Sequence, residues 1–218
     1  MHLVADALRA LGPLATQRSH PNALRYAMTA YFNFRDAHPT LIRKPYLYFV
    51  DYGLDNTTRR GYVFDMVQLS LTDGPFLVAH GSGSSADRDG VPTTFNNVPD
   101  SYACSLGLYI TLGTYRHTGE SHSGSGTQQY SGIAVRLKGW SGHFNSLALD
   151  RHVVVHGAPY VSGNRAGRSQ GCPAMGMRRA ARLIPLLANG AVVFLFSPND
   201  AGWIAGDPWV NGKSGTYA

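Results

Sequence analysis

The segment VVVHGAPYVSGNRAGRSQGCPAM, residues 153 to 175, holds two side chains that can do acyl chemistry together, His156 and Cys172. A cysteine is only slightly ionised at neutral pH, and an imidazole beside it raises the thiolate fraction or takes the proton during attack. Cysteine is also among the most often buried residue types, so a lone one reads first as a small hydrophobe. Here the surroundings favour chemistry. The apolar run HVVVHG is expected to be a strand that carries His156 at its end, on a rigid element. Between the two residues lies a loop with Gly163, Gly167 and Gly171, and glycine lets such a loop fold back until cysteine and histidine meet. Cys172 stands between Gly171 and Pro173. The backbone N–H groups of Gly171 and Cys172 can then face the oxygen of a tetrahedral intermediate. These residues together describe an acyl-transfer centre.

Other chemistries find less support. Cys104 and Cys172 are the two cysteines, which allow at most one disulfide, and nothing in their spacing makes them neighbours. The nine histidines are dispersed, without C-x-x-C or H-E-x-x-H spacing, so neither a metal nor any other cofactor is expected. The formal charge of +6 and pI near 9.5 suit an anionic partner such as an acidic cell-wall polymer or lipid. The basic residues are scattered, and no basic run, recognition helix or basic-aromatic stacking pattern indicates nucleic acid. No apolar stretch is long enough to span a membrane. The opening MHLVADALRA lacks the basic and apolar regions of a signal peptide, so export implies a leader already removed.

The elements that must position this chemistry follow from periodicity. Residues 1–43 read as a helical N-terminal segment: LVADALRAL and PNALRYAMTAYFNFRDA repeat apolar residues at three- and four-residue intervals. From Lys44 the period changes. YLYFVDYG, GYVFDMVQLS and FLVAHGSGS are short β-branched and aromatic runs parted by turn residues, the pattern of an antiparallel meander, and SLGLYITLGTY, SGIAVRLKG and HVVVHG continue it. GMRRAARLIPLLANG reads as a helix closed by Asn189 and Gly190, and AVVFLFS as a final buried strand. The main domain is thus expected over residues 44–198. Residues 199–218 read as a tail laid over the surface by Trp203 and Trp209. The 25 glycines and 12 prolines with 15% charged residues fit a mostly β, β-rich α+β fold.

The pair HG at 156–157 followed by RSQGCPA at 168–174 resembles the signature of the L,D-transpeptidase catalytic domain, the YkuD-like cysteine enzymes of bacterial peptidoglycan, whose usual form is HG, a spacer, then S/T-H-G-C. FVDYG, VAHGSGS, FNNVPDSYACSLGLYITLGTY and YSGIAVRLKGWSGHFNSLALDRHVVVHGAPYVS are similar to the variant murein L,D-transpeptidase subfamily. The resemblance covers about residues 44 to 198. It implies a β-sandwich domain in which a cysteine attacks an amide between an L- and a D-residue of a peptidoglycan stem peptide. An amine of a second stem then resolves the thioester, without metal or ATP, in the periplasm or cell envelope. It further implies Cys172 as nucleophile, His156 as general base, and Ser169 and Gly171 in the loop shaping the oxyanion site. Gly157 follows the base, and Arg168 is a candidate to hold a substrate carboxylate, which arginine can bind bidentately.

One departure stands out. The histidine of S/T-H-G-C is here Gln170, which cannot transfer a proton as imidazole does. His80, expected to end a strand and enter a Gly/Ser loop, is the obvious substitute in the cleft. His122, His143 and His152 have weaker claims, with His152 expected to face the core. Tyr109, Tyr115 and Tyr130 alternate on expected strands and read as packing residues. The sequence leaves open whether the acyl donor bond follows the diamino acid or L-Ala, and whether the acceptor is a stem, a protein lysine or water. A non-catalytic peptidoglycan-binding module of the same fold is the competing reading. A papain-type hydrolase fits less well, because there the cysteine precedes the histidine in the chain. A monomer is expected.

Overall fold

The computed structural model describes residues 2–86, 90–123 and 126–211. Two helices, α1 (His2–Leu11) and α2 (Ala23–Ala37), lead into the strands β1 (Tyr46–Asp51), β2 (Gly61–Asp65), β3 (Ser70–Phe76) and β4 (His80–Gly81). The long strands β5 (Gly107–Ser123) and β6 (Gly126–Gly139) are followed by β7 (Val154–Ala158). Three two-residue strands come next, β8 (Val161–Ser162), β9 (Arg165–Ala166) and β10 (Arg168–Ser169). Then follow β11 (Ala174–Gly176), α3 (Met177–Leu187), β12 (Val192–Phe196) and α4 (Ala201–Gly206).

Eight strands form one sheet in the order β11-β7-β6-β5-β12-β1-β2-β3, and two small ribbons, β10-β4 and β8-β9, stand beside it. The fold is β-rich with short N-terminal helices, as the composition implies. The meanders β1-β2-β3 and β5-β6-β7 are antiparallel. Two pairings depart from the expected meander: β12 runs parallel to β1, and β11 parallel to β7. The chain passes from β7 to β11 through the segment that holds β8, β9 and β10, and α3 then carries it from β11 at one edge of the sheet to β12 in its middle. Strand β12 is buried throughout and β1 from Leu47 onward, which explains why their sequences are continuous apolar runs rather than alternating ones.

The N-terminal helices are not separate from the rest. Ala7, Leu11, Leu24, Met28 and Phe34 belong to the same buried cluster as Phe49, Leu108 and Phe194, so packing shows no boundary at residue 43. The C-terminal segment also differs from the expected surface loop. It forms α4, capped by the Asp200 side chain on the Gly202 N–H, and its tryptophans are core residues. Trp203 is buried and donates its indole N–H to the Ser197 carbonyl at 2.8 Å. Residues 212–218 of the expected tail lie outside the described residues.

One buried cation ties the small ribbon to the sheet. Arg60 is fully buried beside β2, and its Nε and Nη2 donate to the Val78 carbonyl at 3.0 and 2.8 Å. Nη1 donates to the Leu54 carbonyl at 2.5 Å, and Nη2 to His80 Nδ1 at 2.9 Å. His80 begins β4, which pairs with β10 in the register Arg168↔His80 and Ser169↔Gly81. Replacing Arg60 by Met keeps the length and removes every donor, leaving two carbonyls unsatisfied. Each such loss costs about 1–3 kcal/mol, so urea unfolding should show R60M destabilised by roughly 3 kcal/mol. A change below about 0.5 kcal/mol, the size of an ordinary surface substitution, would mean that the guanidinium does not hold this region.

Candidate active site

His156 and Cys172 share one cleft, and the sheet register explains how. Strand β11 pairs with β7 so that Ala174 lies opposite His156. Two residues back along both chains, Cys172 falls opposite Val154, whose N–H points at Cys172 Sγ at 3.5 Å. His156 and Val154 project on the same side of β7, because side chains alternate along a strand. The parallel partner thus brings Cys172 beside the histidine's face. His156 is the middle residue of β7 rather than its end, so backbone ladders grip it on both sides.

The cleft has a volume of about 1390 Å³, and Cys172, His156, Arg168, Ser169 and Gln170 all line it. The loop before the cysteine is held firmly. Ser169 Oγ donates to the Cys172 carbonyl at 2.6 Å, closing the turn. Gly171 has φ +106, a conformation that side chains rarely adopt, and a Cβ there would lie 2.9 Å from the Ala103 carbonyl oxygen. Gly81, in β4, faces it: a Cβ on Gly81 would come within 2.7 Å of Gly171 Cα. Arg151 braces the other side, donating to Ser105 Oγ and the Ala103 carbonyl, both at 2.6 Å, and to the Asn96 carbonyl at 3.0 Å. Arg168 donates from Nη1 to the Ser85 carbonyl at 3.2 Å while still lining the cleft.

The titrating groups are both uncharged at neutral pH. Burial pushes the Cys172 thiol up to about 11, a rise opposed in part by the Val154 N–H. Sγ lies 3.8 Å from the His152 carbonyl, so the thiol proton has a resting acceptor in the backbone. His156 is 4% exposed, and burial, with the neighbouring His117, depresses it to about 4. Its Nδ1 lies 3.0 Å from the Gly157 carbonyl, an acceptor only, which fixes the proton on Nδ1 and leaves Nε2 as the basic nitrogen. An imidazole so placed can take a proton from a thiol when an electrophile arrives.

Two of the residues singled out by sequence do not face the cleft. His80 is wholly buried, held by Arg60 and stacked edge-on to Tyr52, with burial and the Arg60 charge depressing it to about 3. It is a neutral structural histidine beneath the loop and cannot stand in for the imidazole missing at Gln170. Gly157 faces α3: a Cβ there would meet Ala180 Cβ at 2.8 Å and Met177 Cα at 3.1 Å, so its smallness serves helix packing. His152 is exposed on the cleft rim rather than turned to the core, and His122 lines the outer cleft. His143 stacks on Phe144 elsewhere. Tyr109 is a core residue as expected, whereas Tyr115 and Tyr130 line the cleft.

The cleft also contains groups that the motif did not reveal: His117, Tyr160 and Arg151. The signal for His117 lay in strand alternation. Tyr115, His117 and Gly119 are half-buried while Arg116, Thr118 and Glu120 between them are exposed, so the outer part of β5 turns one polar face inward.

A family model described as the L,D-transpeptidase catalytic domain matches residues 15–196. The match takes in α2, which lies outside the expected span of 44–198. No curated protein matches by sequence. Similar solved structures include an L,D-transpeptidase from Mycobacterium smegmatis, at 16% identity over 70% of this chain and 58% of that one, with TM-score 0.43. Another is L,D-transpeptidase 1 from Mycobacterium tuberculosis, at 15% identity over 70% and 61%, with TM-score 0.39. A third, from Stackebrandtia nassauensis, has 12% identity over 90% and 78%, with TM-score 0.39. The chain therefore spans less than two thirds of the first two.

The resting protonation states lead to a measurable outcome. With the thiol near 11, alkylation of Cys172 by iodoacetamide should be slow at pH 7 and climb about tenfold per pH unit through pH 9. Mass spectrometry of the modified peptide reads this directly. A rate that levels off below pH 7 would reveal a preformed thiolate–imidazolium pair instead.

Proposed function

This chain belongs to the L,D-transpeptidase catalytic domain family, and from that premise we propose that it is a peptidoglycan L,D-transpeptidase with Cys172 as nucleophile and His156 as general base. The observation that supports the reading is that the thiol and the imidazole line one cleft, on segments brought together by the parallel pairing of β11 with β7.

In acylation the thiol proton passes to His156 Nε2 as Sγ attacks the carbonyl of an L-residue whose amide partner is a D-residue. The Gly157 carbonyl stabilises the resulting imidazolium through Nδ1–H. Negative charge on the former carbonyl oxygen is met by the N–H groups of Gly171 and Cys172, held in place by the fixed backbone at Gly171. Collapse expels the D-residue amine, which takes the proton from His156, and leaves a thioester on Cys172. An amine of a second stem then attacks, forming the cross-link and restoring the thiol. The donor bond follows the diamino acid or L-Ala, since both are L-to-D amides and the machinery above serves either. Arg168 on the cleft wall suits a stem carboxylate. Such a substrate places the protein at work in the cell envelope, and among the described residues no helix is long and apolar enough to cross a membrane.

The test is incubation with disaccharide-tetrapeptide muropeptides, read by mass spectrometry, beside Cys172→Ala. Dimers with a new amide should form with the parent and be lost by at least about 10³-fold in the variant, the scale on which a nucleophile matters. Fragmentation of the dimers identifies the donor bond. Monomers shortened by hydrolysis would make water the acceptor. Unchanged monomers that remain bound to the protein would replace this reading with a non-catalytic binding module.

A further inference from the structure

Transfer of an acyl group to an amine leaves one more proton to be placed than a single imidazole can hold. The acceptor arrives as an ammonium ion and leaves as an amide N–H. Of the two protons it sheds, one returns through His156 to the Cys172 sulfur, and the other goes to solvent or to a second base. His156 is too enclosed to exchange that proton with water during the step, being 4% exposed with Nδ1 committed to the Gly157 carbonyl. The usual motif histidine is absent, Gln170 cannot accept a proton, and His80 is sealed under the loop.

His117 meets the requirement. It projects from β5 into the same cleft, and its ring centroid lies 4.5 Å from that of His156. It is half-buried, so one side opens to solvent. The groups that face it are Tyr115, Tyr130 and His156, with no carboxylate among them. Its Nδ1 is 3.5 Å from Tyr115 Oη, too long to lock the ring to one donor, so a ring nitrogen stays available. Farther out on β5, His122 and Glu120 stand 3.8 Å apart at the exposed end of the cleft, where a proton can pass to water.

We propose that His117 is the second base of this site, taking the surplus proton from the acceptor ammonium while His156 serves the sulfur. The step balances: ammonium and neutral His117 give amine and imidazolium, the amine attacks the thioester carbonyl, its N–H proton reaches sulfur through His156, and His117 releases its proton to solvent. The two bases thus divide the half-reactions, acylation using His156 and transfer using both.

The inference rests on the transpeptidase reading, and separating the half-reactions tests the two apart. The protein is loaded with a tetrapeptide donor and the thioester followed by intact mass; an amine acceptor is then added and cross-link formation timed. In His117→Gln, acylation should stay within about threefold of the parent while transfer at neutral pH falls about 10²-fold, the lower range for a lost general base. The transfer deficit should shrink as pH rises toward the acceptor amine's own pKa, about 10.4 for a lysine-like amine, because the amine then arrives already deprotonated. Added imidazole should restore transfer in His117→Ala, where the ring's space is vacant, and thermal melting checks that both variants fold. Equal losses in both half-reactions would overturn the inference by making His117 a support for His156. Unchanged transfer would overturn it by making the ring a bystander. A parent protein that forms no thioester would remove the transpeptidase reading itself.

Discussion

The guanidinium of Arg60 is the constraint around which the loop before Cys172 is arranged. A fully buried cation is normally matched by a carboxylate, because desolvation alone is severe. Arg60 instead spends its donors on the carbonyls of Val78 and Leu54 and on His80 Nδ1, with the Tyr52 ring 4.9 Å from its centre. Burial lowers its pKa, and the nearby Tyr52, Cys104, Asp55 and Asp51 side chains act the other way. Burial, with the same charge, keeps His80 neutral, which lets Nδ1 accept rather than repel. Strand β4 begins at His80, and β10 pairs with it. The segment from Arg168 to Cys172 is therefore held on one side by a two-residue ribbon that Arg60 anchors.

Above that foundation, fit is set by the absence of side chains. Gly81 and Gly171 lie against each other, and neither admits a Cβ without striking the Tyr102 or Ala103 carbonyl. Arg151 holds the Ala103 carbonyl from the opposite side, so the loop before Cys172 is clamped between β4 and residues 96–105. The positive φ at Gly171 turns the chain at the proposed oxyanion donors. Rigidity here has a chemical use, since donors already in position need no reorganisation as charge develops.

The parts of this arrangement legible in sequence are those with a strong period or a local motif. Strands β1, β2, β5, β6 and β12 and helices α2 and α3 follow their apolar spacing, and the HG and GCP motifs mark the cleft. What escaped depends on pairings remote in the chain. FLVAHGSGS suggested one strand carrying His80 to the cleft, but Phe76 pairs with β2, Ala79 bridges Ala174, and His80 and Gly81 pair with β10, while Arg60, 20 positions away, draws the imidazole inward. The apolar HVVV suggested that His156 ends its strand, whereas pairing with both β6 and β11 centres it. His117 carried no motif at all. It is distinguished by the inward face of a long hairpin, which becomes informative once β6 and β7 are known to lie beside it. The buried tryptophans of the C-terminal segment were hidden for the same reason: Trp203 meets Phe194 and Phe196 on β12, contacts that no local pattern announces.

The protonation states at the cleft fit a nucleophile that waits for its substrate. Burial raises the thiol and lowers both imidazoles, so the pair at rest is neutral. A standing thiolate is more reactive toward every electrophile and more easily oxidised, whereas a protonated thiol pointing at the His152 carbonyl is protected from both. The proton must then move as the carbonyl arrives, which makes attack depend on a substrate that displaces the Val154 and His152 contacts and brings its oxygen to the Gly171 turn. Positioning, rather than intrinsic thiol reactivity, is what such a site can use to select one amide of a stem peptide over the others.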